Sequence, residues 1–137
     1  MSFLTDQDYD VQTRSTILSV LTTDALSRAN AENMAQEEIT SYLRPRGYDV
    51  AAIFAATGTG RNSLIIMYMI DMAVYHLHSS IAGRAIPKNR EDRYKAAIEW
   101  LNKVNHGKLD PSLPKIPDLS TDPSWRFGDN GKYFSEW

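Results

Sequence analysis

The chain has no cysteine, which excludes disulfides and thiolate metal sites and fits a reducing compartment. Long apolar runs are missing too. The longest, Leu64 to Ile70, falls far short of the roughly 20 residues that a bilayer-crossing helix needs. The opening residues MSFLTDQDYD carry neither a basic region nor an apolar stretch, so no secretion signal is predicted. There is no strand-like alternation of any length, no internal repeat and no low-complexity tract. A soluble intracellular helical protein is the expectation. Its 137 residues, 42% hydrophobic and 23% charged, suit a single domain with a real core and an ordinary globular composition.

The chain is organised around Arg61 to Ile81, RNSLIIMYMIDMAVYHLHSSI. Every side chain from Leu64 to Ile70 is apolar or aromatic, so a helix here has no wet face and must be covered by other helices. One charge interrupts it. A carboxylate at Asp71 is costly to bury unless a cation or several donors meet it, and Arg61, Arg90, Arg93 or Tyr75 are its candidate partners.

The flanking segments supply the cover. Thr5 followed by Asp6, Gln7 and Asp8 reads as a helix start, with a first helix to about Val20, anchored by Tyr9, Ile17, Leu18 and Leu21 and with a break near Thr13. Thr22 to Asp24 form the next cap. Residues 25 to 43 follow with Ala35, Ile39 and Tyr42 on one side, ending before Pro45. Asp49 caps a two-turn helix anchored by Ile53 and Phe54. The TGTG of Thr57 to Gly60 lacks the lysine and the preceding strand of a P-loop, and reads as a helix–helix connection with Asn62 or Ser63 as cap. Gly83 stops the central helix. The last helix has Pro87 in its first turn, an apolar stripe of Ala97, Ile98, Leu101 and Val104 flanked by Tyr94 and Trp100, and Gly107 as its stop. The predicted fold is all-α, a small bundle of four to five helices over residues 1–107, with an extended tail over 108–137.

That tail holds Pro111, Pro114, Pro117 and Pro123 together with Trp125, Phe127, Tyr133, Phe134 and Trp137. Proline forbids a continuous helix, and so many large aromatics point to a docking surface, on a partner or on the chain's own domain.

Charge is divided along the chain. Residues 1–83 hold five Arg against nine acids, a balance of −4, whereas residues 84–107 hold six Lys and Arg against three acids, a balance of +3. Between copies, Asp6, Asp8 and Asp10 could meet Arg84, Lys88, Arg90, Lys95 and Lys103 head to tail; solvated helix faces that merely differ in sign are the plainer reading. Catalytic and metal chemistry find little support. His76 and His78 point to different sides of a helix, His106 ends another, and the adjacent acids Glu37–Glu38 and Glu91–Asp92 read as solvated. No metal and no cofactor is predicted.

The order SYL, then YD with an Ile-Phe pair, then G-x-G-R, then IDMAVYHLH, then IPKNREDRYKAAIEWLNKVNHGKLDPSLP resembles the Mu-type neck family of tailed phages, over roughly residues 3–114. Asp71, Ala73, Tyr75 to His78, Pro87, Arg93, Tyr94, Ala97, Trp100 and Leu101 carry most of the likeness. The RPRG turn and the stretch after Pro114 lie outside it. The resemblance implies a head-completion or head–tail connector protein, not an enzyme. Such proteins join as a ring, usually of twelve copies, beneath the portal, and offer a platform to a stopper or tail protein. DNA would pass through the lumen without sequence-specific binding, and no membrane is involved. The protein would be made in the host bacterial cytoplasm and end in the virion neck, with the tail aromatics as portal anchors by analogy. Two rivals remain: a helical nucleic-acid-binding regulatory module, in which the short helix and the central one mimic a helix-turn-helix, and a small enzyme acting at Asp71.

Overall fold

Capping side chains set the helix starts. The Thr5 hydroxyl accepts from the Asp8 amide at 3.3 Å while the Asp8 carboxylate accepts from the Thr5 amide at 2.8 Å, a reciprocal box that satisfies two orphan groups. Asp49 accepts from the Ala52 amide at 3.1 Å. Asn62 accepts from Leu64 at 2.9 Å and Ile65 at 3.2 Å, which settles the choice between Asn62 and Ser63. In the computed structural model these caps launch α1 (Asp6–Gln12), α3 (Val50–Ala55) and α4 (Ser63–Ser79); α2 spans Ala25–Leu43 and α5 spans Lys88–Asn105. Pro87 sits at the N-cap of α5, just ahead of the first turn expected for it.

The structure describes residues 3–12, 25–80 and 85–117. The expected continuation of the first helix to Val20, the Thr22–Asp24 cap, the Gly83 stop, Arg84 and the aromatics Trp125, Phe127, Tyr133, Phe134 and Trp137 fall outside the described residues. Among the described residues the architecture is all-α, with 3-10 turns at Arg44–Arg46 and Gly58–Gly60 and one antiparallel bridge between Tyr48 and Lys115.

The central helix α4 packs against α1, α2 and α5. Met69 to Val74 are all buried, as are Ala31, Ala35, Ile39 and Leu43 of α2, Tyr9 of α1, and Ala97, Leu101 and Val104 of α5. Burying each large side chain of this set contributes roughly 1.5–3 kcal/mol. The cover thins at the start of α4: Leu64 is 42% exposed, and Ile66, Met67 and Tyr68 are half-buried, so the helix is not dry all round.

After α5 the chain turns at Gly107 and runs back extended, as its prolines predict, but it lies on the bundle. The Asp49 amide donates to Pro114 at 2.8 Å and the Ile116 amide to Gly47 at 2.8 Å. Tyr48 donates to Asp110 at 2.7 Å, and the Asn62 amide group to the Ser112 carbonyl at 3.3 Å. Residues up to Pro117 thus belong to the folded unit.

Gly107 has φ 76°, and a Cβ there would stand 3.0 Å from the Arg46 guanidinium. A left-handed backbone costs a non-glycine residue roughly 1–2 kcal/mol. Gly107→Ala is therefore expected to lower the unfolding free energy by about 1–2 kcal/mol, read as a shift in urea midpoint at unchanged slope.

Candidate functional site

Asp71 lies on the buried side of α4 and is 4% exposed, facing α5. Arg93 Nη1 is 3.4 Å from Asp71 Oδ1. Arg90, one turn earlier on α5, is itself buried at 7% exposure. Burial and the neighbouring Arg93 lower the Arg90 pKa, while Asp71 works against them. The one-turn spacing of Arg90 and Arg93 thus brings both guanidinium groups into the field of a single carboxylate. Arg61, expected as another partner, is held elsewhere. It pairs with Asp8 at 2.5 and 3.2 Å and donates to the Phe3 carbonyl at 2.8 Å and the Gly58 carbonyl at 3.0 Å, clamping the N-terminal segment onto the entrance of α4. Tyr75 stacks on Tyr94, with ring centroids 4.1 Å apart.

A second polar junction forms where the sequence predicts only solvated acids, at Glu37 and Glu38. Glu37 is exposed, but its neighbour Glu38 turns inward. Glu38 Oε1 meets His76 Nε2 of α4 at 2.5 Å, and Glu38 Oε2 accepts from the Tyr94 hydroxyl of α5 at 2.6 Å. One carboxylate therefore ties α2, α4 and α5 together. Burial and this hydrogen bond push the Tyr94 hydroxyl pKa well above 10.0. The clue in the sequence was position: Glu38 lies three residues after Ala35 and four before Tyr42, flanking the apolar stripe that faces the core.

The acidic N-terminus is largely neutralised within the chain. Asp6 pairs with Arg28 at 2.5 Å, and Arg28 also reaches Glu32 at 3.0 Å, which accepts from the Tyr9 hydroxyl at 2.6 Å. Burial alone would raise the Asp8 pKa; hydrogen bonds from Arg61 and Thr5 outweigh it and hold that carboxyl below its usual 3.8. Asp10 is exposed. Of the basic residues expected on a docking face, Arg90 is inside the core and unsuited to an exposed contact. Lys88 and Lys95 are exposed, with helical partners Asp92 at 3.2 Å and Glu91 at 4.0 Å, and Lys103 is exposed.

α4, the would-be recognition helix, has Ile65, Met69 to Val74, Leu77 and His78 buried, so most of it cannot enter a DNA groove. Gly58–Gly60 forms a 3-10 turn with Gly58 at φ 57°. His106 Nδ1 lies 2.7 Å from the Asn102 carbonyl and His78 is buried; among the described residues no group of three or more His, Asp or Glu could hold a metal ion. No described helix is long and apolar enough to cross a membrane.

A family model described as Bacteriophage Mu, Gp36 matches residues 2–124. Comparison with curated proteins and with solved structures gave no match.

Proposed function

Because the chain belongs to the Bacteriophage Mu, Gp36 family and is thereby a phage structural or morphogenesis protein, we propose that it is a head-completion adaptor, a non-enzymatic ring component seated under the portal. The family match over residues 2–124 carries this reading. The internal bracing supports it: carboxylates that in a hydrolase would face an open cleft are used here to fasten helices, Asp71 against α5 and Glu38 across three helices. Such a brick suits repeated contacts around a closed ring, where two different patches of each copy must meet. Of the expected ring contacts Asp8 is engaged inside the chain and Arg90 is buried; the exposed Asp6, Asp10, Lys88, Lys95 and Lys103 remain, together with Arg84. The aromatics Trp125, Phe127, Tyr133, Phe134 and Trp137 are the portal anchors, and a stopper or tail protein meets the ring on its other side.

The test is the mass of the purified chain in solution, alone and with the portal protein of the same phage. The expected result is a closed ring on the portal. A form ending at Pro117 should remain folded, because the strap contacts up to Ile116 are kept, and should no longer bind portal. A full-length chain that ignores the portal overturns the reading, and portal binding unimpaired by the truncation overturns the anchor assignment.

A further inference from the structure

The C-terminal end of α2 gathers basic residues from three separate stretches. The Arg44–Arg46 turn follows α2 directly, and the Arg46 guanidinium lies against Gly107 at the exit of α5. Lys103 and Lys108 are joined there by a 2.8 Å backbone hydrogen bond, and Lys115 is brought alongside by the bond from Ile116 to Gly47 and stands 5.1 Å from the Tyr48 ring. Arg44, Arg46, Lys103, Lys108 and Lys115 are all exposed. Residues 44–49 and 103–117 hold these five cations against two acids, Asp49 and Asp110, a balance of +3 on a chain of net charge −2. Both acids are engaged: Asp49 caps α3, and Asp110 accepts from Tyr48 at 2.7 Å and pairs with Lys115 at 3.5 Å.

We propose that this basic end binds the phosphate backbone of duplex DNA without reading its bases. Protein–protein interfaces favour aromatic side chains, methionine and arginine and are depleted in lysine; here three of five cations are lysines and the aromatic among them, Tyr48, is buried. Leu109 and Ile116 are exposed nearby, singly, which is ordinary for a surface. Flexible cations on three stretches match a partner whose charge repeats along its length, and backbone contacts position without specifying sequence. The assignment rests on the neck reading only for where the DNA is met, at the wall of the channel; the binding itself is a property of the isolated chain.

The experiment is fluorescence anisotropy of the full-length chain with a short labelled duplex of mixed sequence, between about 50 and 200 mM salt. Neutralising three to four phosphates predicts a log–log salt slope of about −3. Arg44→Gln with Lys108→Gln is expected to weaken binding about tenfold at low salt and to flatten the slope by about 2. Arg46→Gln with Lys103→Gln should repeat the effect, and Lys88→Gln with Lys95→Gln, the same charge change on the first half of α5, should leave the slope alone, because the ring contacts assigned to these two lysines form on the portal and not in the isolated chain. Circular dichroism confirms that each variant is folded. No saturable binding at low salt overturns the proposal, as does equal loss in all three pairs. Displacement by polyglutamate as effective as by unlabelled duplex overturns it in favour of an acidic protein partner. Duplex binding retained by a chain that forms no ring on the portal leaves this inference standing and removes the neck reading.

Discussion

Asp71→Ala is expected to lower the unfolding free energy by about 3–5 kcal/mol, the range for leaving a buried charge without its counter-charge. Asp71 is 4% and Arg90 7% exposed, so little water reaches either group. The carboxylate attracts both guanidinium groups, and Arg90 already pays for its burial with a lowered pKa. Without Asp71 the buried Arg90 keeps its burial cost and its repulsion from Arg93 and loses the attraction that works against them. Arg93 is different. Its side chain is 47% exposed and its contact is long, 3.4 Å, so Arg93→Gln should cost only about 0.2–1 kcal/mol, as exposed pairs do. Urea unfolding of the two variants side by side decides the matter. A loss below about 1 kcal/mol for Asp71→Ala would show that the pair contributes packing rather than charge compensation. Asp71→Leu combined with Arg90→Met separates these further: replacing two opposite buried charges with apolar groups of similar volume can be neutral, so recovered stability would assign the two charges to register between α4 and α5.

The helices were legible because their determinants are local. Pro45 stops α2 at Leu43, Asp49 and Asn62 cap α3 and α4, and Gly107 takes the left-handed turn after α5. Each effect acts within a few residues, and apolar spacing then names the core face of α2 and α5. Partner choice was not legible in the same way. Arg93 was among the candidates for Asp71, but so was Arg61, and only the path of α1 over the start of α4 reveals that Asp8 takes Arg61 instead. Glu38 failed for a related reason. Adjacent helical residues differ by about 100° in direction, so Glu37 and Glu38 look alike in sequence while one meets water and the other meets His76 and Tyr94. A charge count by segment misled as well, since Asp6 and Asp8 are engaged by arginines from distant positions. The basic end is invisible to a sum by segment because Arg44 and Arg46 sit in the segment whose total is negative, and only folding brings them beside Lys103, Lys108 and Lys115.

Glu38→Ala is the second large effect, about 2–3 kcal/mol, because it removes two hydrogen bonds to a charged group, each worth roughly 1.5–3 kcal/mol when well shielded, and the side chain here is 29% exposed. Tyr94→Phe removes one of those bonds and keeps the ring stacked on Tyr75, so it should cost about 0.5–1.5 kcal/mol. The double variant should fall short of the sum, with a coupling of about 0.5 kcal/mol or more. Alkaline titration gives an independent readout. The folded pKa of Tyr94 lies above its usual 10.0, from burial first and Glu38 second, so the folded state prefers the neutral phenol. The stability this contributes is complete below pH 10 and is lost as pH rises towards the folded value. In Glu38→Ala the burial contribution persists and the Glu38 contribution disappears, so Tyr94 should ionise at lower pH than in the parent chain, seen as earlier tyrosinate absorbance that Tyr94→Phe abolishes. Additive losses together with an unchanged tyrosinate titration would mean that α2, α4 and α5 are held by their apolar contacts and that Glu38 braces nothing.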